Sequence, residues 1–474
     1  MYKPTRLHPL AAGLSFLKLL KEWFIPLIIF FFIGPGNETD MFWVKFAPFL
    51  FIGLLAVYGL IQWFRFTYHI EGDELKIEHG VFVRKKRYIP QKRIQSIDYT
   101  QGIFHRFFKV VKVNIETAGG GMGAEASLAA IRKMDADQLS EVLRDNKRTE
   151  SPEESTPSTI ESPLYTYTLS MKDLLIAAST SGGIGVMLPL VGTFASQLDS
   201  IIPEDFYVIA FNWLSGFSWV IIAALAFISV FVAWFASFMG VILKYANFQL
   251  KRYDDRIVIT RGLLEKRELT FPLHRVQGIR IVENVLRQPF GYATVHVESA
   301  GGAGPEAGMS AMLLPIIKRK HLNRELHKIM SGYQLPDQMN TLPRRSMKRY
   351  ILRGVLPSVL LLPLLWWLPS SLWVLLIVPI ATLALWGVLR YKDGKWFVND
   401  KAFYIQSRGL SRSLLITEKR RMQDFEVTES FFQKRHQLTS LKTSILSAGV
   451  GKAFRLMDVD RDEGKDVFNW YTRE

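Results

Sequence analysis

Apolar residues gather in six long runs that come in three pairs, and between the pairs the pattern changes to short alternation. The runs are roughly Leu14–Gly34 and Phe42–Phe64, Leu174–Phe194 and Phe206–Leu243, and Ile351–Leu368 and Leu372–Leu389. A helix needs about 20 apolar residues to cross the hydrocarbon core, so each run predicts a spanning helix. In the first, Lys18 and Lys21 leave only WFIPLIIFFFIG apolar throughout, and their stems can snorkel to the interface. A secretory signal is the rival reading there, but no small-residue cleavage site precedes a mature domain. Phe206–Leu243 exceeds what a bilayer requires, so part of it is expected in the interface.

After each pair come segments such as ELKIEHGVFV, DRIVITRGLL and AFYIQSRGLS. Alternation of this kind predicts strands with one buried face. A glycine closes the same turn each time (Gly80, Gly262, Gly409). A further strand follows (KVNIETA, TVHVESA, KTSILSA), then a helical stretch: ADQLSEVLRDN, KRKHLNRELHKIM or GKDVFNWYTRE. Strands in series followed by one helix predict a small antiparallel sheet or barrel closed by that helix.

The units are copies. RYIPQKRIQSI around Pro90 returns as LTFPLHRVQGI around Pro272, and NIETAGGG returns as HVESAGGA, both at a spacing of 182 residues. Such self-similarity marks one structural unit used repeatedly. In the third unit Gln423 follows Gln95 by 328 residues, Gly409 follows Gly80 by 329 and Ala448 follows Ala118 by 330, so two small indels separate it. Its proline is gone, and RRMQDF replaces KRIQSI.

The expected division is helix pair one over 1–66, unit one over 67–146, and a linker over 147–170. Helix pair two follows over 171–246, unit two over 247–333, a second linker over 334–349, helix pair three over 350–391, and the divergent unit three over 392–474. KRTESPEESTPSTIESP in the first linker has almost no apolar residue and reads as a disordered tether.

Charge orients the pairs. GPGNETD, ASQLDSIIPED and LPSS, which join the helices within pairs, contain no Lys or Arg, whereas RKKR and PRRSMKR lie on the other side. The positive-inside rule then puts both termini and all three units in the cytoplasm. The net charge of +16 and pI near 9.7 suggest a polyanionic partner. With spanning runs present, that partner is an anionic leaflet rather than nucleic acid. The absence of cysteine excludes disulfides and thiolate metal sites.

HRVQGI followed by VLRQPFGYATVHVESAGG resembles the signature of bacterial PH-like domains attached to membrane helix pairs. Three such units in line resemble the YdbT-type membrane proteins of Gram-positive bacteria, over nearly the whole chain. The resemblance implies an integral membrane α-helical protein with six transmembrane helices in three pairs. It adds three cytoplasmic PH-like domains, each a strongly bent, seven-stranded antiparallel sheet capped by a C-terminal helix. It implies no enzyme activity. It also implies work beside a second, smaller membrane protein with a PH-like domain, in envelope stress or resistance to antimicrobial compounds at the plasma membrane.

Candidate chemistry is sparse. The glycine-rich AGGG and AGGAG stretches lack the G-x-x-x-x-G-K-[ST] phosphate-loop pattern, and AGVGKA has Ala453 where Ser or Thr is needed. His274, His296, His321 and His327 form no i, i+4 pair, and neither HExxH nor G-x-S-x-G occurs. No catalytic, cofactor or metal residue is expected. Arg84, Lys85, Lys86 and Arg87, with Lys92 and Arg93, are the candidate surface for anionic lipid headgroups or a partner. Each such residue near an anionic membrane contributes about 1 kcal/mol; the competing reading is a topogenic cluster on a solvated face. Pro90, Arg93, Gln95, Gly119, Pro272, Arg275, Gln277, Gly291 and Gly301 form a repeat signature expected to be structural. Ala177, Ser181 and Gly185, at i, i+4 and i+8, form a small-residue ridge for packing within the bundle or between copies. A transporter built on the six helices and a ligand-free scaffold remain the rival functions.

Overall fold

The computed structural model describes residues 4–33, 42–117, 126–145, 162–181, 219–300, 311–361, 374–447 and 450–473. Each unit is a module of seven strands and a closing helix. Module one comprises β1 (Thr5–Arg6), β2 (Thr67–Glu71), β3 (Glu74–His79), β4 (Lys85–Pro90), β5 (Ile94–Gln101), β6 (Val110–Thr117), β7 (Ala126–Arg132) and the helix Lys133–Asp145. Module two comprises β8 (Tyr165–Thr168), β9 (Gln249–Arg252), β10 (Arg256–Arg261), β11 (Lys266–Pro272), β12 (Val276–Glu283), β13 (Tyr292–Ser299), β14 (Ala311–Lys318) and Arg319–Ile329. Module three comprises β15 (Asn340–Thr341), β16 (Lys395–Val398), β17 (Ala402–Arg408), β18 (Arg412–Glu418), β19 (Met422–Thr428), β20 (Leu438–Ser447), β21 (Val450–Asp460) and Arg461–Thr472.

The first strand of every module lies ahead of its helix pair. β1 pairs with β2, β8 with β9 and β15 with β16, all antiparallel. The helix pair is therefore an insertion between strands one and two, and the boundaries expected at 66/67, 246/247 and 391/392 do not separate membrane from module. The expected linkers shorten for the same reason. Tyr165–Thr168 and Asn340–Thr341 are strands, and a helix begins at Arg344, because these stretches hold the edge-strand partners of β9 and β16. Residues 147–161 of the expected tether lie outside the described residues.

Strands one to four of a module form one sheet and strands five to seven another, with the chain crossing between them through a short 3-10 turn. Pro90 and Pro272 precede that turn with φ of −60° and −65°, and Glu418 takes the same place at −77°. Proline's fixed φ suits the position but is dispensable, which explains how module three kept the fold without it.

The modules are joined edge to edge. Strands β7-β6-β5 continue into β11-β10-β9-β8 as one seven-stranded sheet, and β14-β13-β12 continue into β18-β17-β16-β15 as another. At the first seam Gln101, Thr100 and Tyr99 face Lys266, Arg267 and Glu268. At the second, six pairs run from Glu283 opposite Arg412 to Gly278 opposite Thr417. Aligning the modules strand by strand makes Gln101 the counterpart of Glu283 and Lys266 that of Arg412, so both seams use one register. Two cores meet at β17 and β18. Tyr404, Leu414 and Ile416 join the core of module two, while Phe403, Ile405 and Leu415 join that of module three.

Two described helices are long and apolar enough to cross a bilayer, over Phe46–Phe64 and Phe227–Tyr245. Of the six spans expected, the described residues show these two. Leu10–Ile33 carries Lys18, Lys21 and Glu22, and Val374–Asp393 ends on Arg390 and Lys392. The described parts of the remaining runs include the helices Met171–Ser179 and Arg344–Val355, the latter strongly basic. The other portions lie outside the described residues.

Candidate membrane-contact site

Two apolar tips project from every module. The first is the hairpin between strands three and four. In modules one and two it opens on Gly80 (φ +117°) and Gly262 (φ +108°), where an added Cβ would stand 2.0 Å from the Val83 and Glu265 carbonyl oxygens. Only glycine fits there. The tight turn pushes Phe82 and Val83, and Leu263 and Leu264, into the open; Phe82 is 88% exposed. Module three reaches the same place with Leu410, 80% exposed, on a turn whose Gly409 is not left-handed.

The second tip is the short turn between strands five and six. It exposes Ile103, Phe104, Phe107 and Phe108 in module one, Val285, Leu286 and Phe290 in module two, and Phe431 and Phe432 in module three. A left-handed residue ends each turn: Lys109 (φ 54°), Gly291 (φ 65°) and Gln437 (φ 50°). Its carbonyl accepts the first N–H of the closing helix, from Lys133 at 3.4 Å, Arg319 at 2.9 Å and Arg461 at 3.1 Å. The tip is thus held at the helix that caps the module.

Both tips lie beside the module-proximal ends of the helices. Phe82 stacks on Tyr58 with ring centroids 6.3 Å apart. The N–H groups of Gly262 and Leu263 donate to the Ala246 and Leu243 carbonyls at 2.8 and 2.9 Å. Arg390 Nε donates to the Arg408 carbonyl at 3.2 Å. At the second tip, buried Arg287 donates to the Ala177 carbonyl at 3.0 Å, to Thr180 Oγ1 at 2.9 Å and to the Pro315 carbonyl at 3.1 Å. Burial pushes its pKa down, yet an arginine stays charged in proteins. His105 holds the equivalent place in module one, 3.0 Å from the Ala129 carbonyl. Gln433 holds it in module three and donates to Asp458 at 2.9 Å, where Arg349 and Arg353 of the incoming helix also bind at 3.1 and 2.7 Å.

Cations flank the tips: exposed Arg84, Arg106 and Lys109 in module one, Lys266 in module two, and Lys434 and Arg435 in module three. Arg106 also donates to the Leu263 carbonyl at 2.9 Å, linking the tips of modules one and two. An apolar wedge rimmed by Lys and Arg is the surface an anionic membrane interface accepts.

The expected basic run is placed as follows. Arg84 pairs with Glu78, which Lys86 also approaches at 3.7 Å, and Lys85, Arg87, Lys92 and Arg93 are exposed along β4 and the 3-10 turn. Arg275 is half-buried, its pKa pushed down to about 10 by burial, with Glu116 of module one opposing the shift. Gln277 donates to the Arg275 carbonyl at 3.1 Å. Gly119, Gly301 and the side chain of Gln95 lie outside what is described. In the small-residue ridge, Ala177 packs with Tyr292 and Ile316 of module two, and Ser181 meets Ser237 at 3.4 Å. The helix ends at Ser179, and Gly185 lies outside the described residues. No group of His, Asp and Glu able to hold a metal occurs among the described residues.

Sequence reading missed the apolar tips. Their signal was present: adjacent apolar residues directly after a turn glycine, and IFHRFF, VLRQPF and FFQKR between strands. None of these fits a period of two.

The family model for the bacterial PH domain matches residues 24–147, 207–331 and 351–474. Each match runs through the closing helix of its module. A curated relative, the UPF0699 transmembrane protein YdbT of Bacillus subtilis (strain 168), is 38% identical over 494 residues, spanning 100% of this chain and 99% of that protein.

Proposed function

Because the chain belongs to the bacterial PH domain family of membrane proteins, we propose that it is a non-enzymatic protein whose three modules bind the anionic headgroups of the leaflet they face. In this reading six helices in three pairs cross the plasma membrane of a Gram-positive cell, with both termini and all modules cytoplasmic. Pairing between the strands that flank each helix pair supports it, since two such strands meet only if both ends of the pair lie on one side. A smaller membrane protein with a PH-like domain is the proposed protein partner, in envelope stress or resistance to antimicrobial compounds.

One observation carries the headgroup reading. Two apolar tips recur at the same place in all three modules, with exposed cations beside at least one tip of each, although their sequences differ (IFHRFF, VLRQPF, FFQKR). Recurrence of character without identity of residues indicates a requirement of the surface rather than of the core.

The chain has no cysteine, so the full-length protein accepts one spin label at a time at position 107, 290 or 431. In proteoliposomes containing phosphatidylglycerol, these labels should become accessible to oxygen and protected from aqueous nickel. A label at 137 on the closing helix should stay aqueous. High salt should reduce the protection, because exposed charges are screened beyond about 8 Å even at physiological ionic strength. Aqueous accessibility at all three tip positions in anionic vesicles would overturn the proposal.

A further inference from the structure

Joining three modules edge to edge leaves one complementary edge at each end. Among the described residues β4 pairs with β3 alone and β19 with β20 alone. β4 holds in module one the place that β11 and β18 hold at the seams, and β19 holds the place of β5 and β12. Their surfaces show the difference. Leu269, Thr270 and Phe271 of β11 and Leu414–Thr417 of β18 are buried, whereas Lys85, Lys86, Arg87 and Tyr88 of β4 are exposed. Gln423, Glu426 and Thr428 of β19 are exposed as well.

We infer that β19 of one molecule pairs with β4 of a second copy, continuing the array head to tail. The register common to both internal seams sets Glu429 opposite Arg84, Thr428 opposite Lys85, Val427 opposite Lys86, Glu426 opposite Arg87 and Phe425 opposite Tyr88. Charge fits this register. Arg84–Pro90 contains four cations and no acid, while Met422–Ser430 contains Asp424, Glu426 and Glu429 and no cation. The outermost position, Glu429 with Arg84, corresponds to the ion pair Glu283–Arg412 at the second internal seam.

Lysine and arginine on an edge strand discourage pairing with arbitrary strands; a row of acids on the incoming strand is what removes that discouragement. A contact between different surfaces of two copies is heterologous, so the assembly closes as a ring or extends as a curved filament.

The test uses two differently tagged full-length chains in one membrane, one with Thr428→Cys and the other with Lys85→Cys. Directly opposed strand residues lie about 5 Å apart, within the span of a disulfide. Mild oxidation should yield a mixed dimer, and a chain carrying both substitutions should yield a ladder. Thr428→Cys with Tyr88→Cys, out of register, should yield little. Arg84→Glu with Arg87→Glu should cut the mixed dimer at least tenfold, and Glu426→Arg with Glu429→Arg on the opposing chain should restore it. No mixed dimer, equal yield out of register, a disulfide confined to one chain, or cross-linking only to a different protein would each overturn the inference.

Discussion

At the seam between modules one and two, β5 and β11 stay paired for three residues; between modules two and three, β12 and β18 stay paired for six. One residue accounts for much of the difference. Gly278 lies where β5 has Ser96, and a Cβ on Gly278 would come within 2.9 Å of the Ile416 carbonyl oxygen. Without that Cβ the backbones of β12 and β18 stay close from Gly278 to Glu283. At the first seam they part early, and the Thr270 N–H donates instead to Asp98 Oδ1 at 3.0 Å. The polar surroundings diverge accordingly. Arg412 joins Glu283 and Asp393 at the second seam, Thr417 donates to the Gln277 carbonyl at 2.8 Å, and fully buried Glu298 accepts from Arg280 at 2.7 Å, Lys452 at 2.9 Å and Ser447 at 2.5 Å. The first seam is held by fewer such contacts among the described residues, with Asp98 and Glu116 as its buried carboxyls. A shared register therefore guarantees alignment, not strength.

The largest effect should come from removing the cation of the second seam. Arg412→Ala removes the cation shared by Glu283, which keeps Arg319, and Asp393, which keeps Arg408; losing two charge-assisted hydrogen bonds at about 1.5 kcal/mol each should cost about 3 kcal/mol. Lys266→Ala, the same register position at the first seam, removes an exposed side chain and should cost under about 0.5 kcal/mol. Denaturation of the full chain in detergent measures both, and equal costs would erase the distinction.

Gly278→Ser installs the residue of the first seam into the second. The crowding against Ile416 should cost about 2 kcal/mol. Hydrogen exchange should show lost protection over Ile416 and Thr417, leaving Arg412–Leu414 protected. Unchanged protection would mean that something other than this Cβ sets the length of the seam.

The smallest effect is a pair of opposed pH trends. Burial holds the Asp98 carboxyl well above the usual range, and neighbouring Glu116 adds to it. A carboxyl with a raised folded-state pKa stabilises the fold below the ordinary value, and the contribution is lost as pH rises through the raised one. Glu298 runs the other way. Burial opposes its charge, but Ser447, Lys452 and Arg280 more than offset this and hold its pKa below the usual range. Its contribution is present above the ordinary carboxylate pKa and is lost as pH falls through the lowered one. Acidification from neutral pH should therefore tighten the first seam and then loosen the second. Exchange over 266–272 and 412–418, corrected for intrinsic rates, reads the two trends. Asp98→Asn should abolish the first and Glu298→Gln the second.

The three-fold repeat, the alternating strands and the closing helices were legible because period and spacing survive divergence. The seams left a trace that alternation alone does not decode. SLLIT in β18 reads as a continuous apolar run because both its faces are covered, whereas KKRYIP in β4 buries little beyond Ile89. The first strand of each module was hidden for a different reason. Thr5–Arg6, Tyr165–Thr168 and Asn340–Thr341 are two to four residues long, too short for any period, and the helix pair separates them in sequence from the strands they complete. The apolar tips escaped because isolated exposed apolar residues are ordinary, and only their return in three modules gives them meaning.

That first strand has a consequence for how the protein is made. The ribosome delivers β1, then both helices, and only afterwards β2. Until β2 follows, β1 has no partner and the sheet of module one stays incomplete. The same holds for β8 and β15. In the proposed topology each module thus reports on its own helix pair: a pair whose two ends stayed on opposite sides would leave the first strand unpaired and the sheet unfinished.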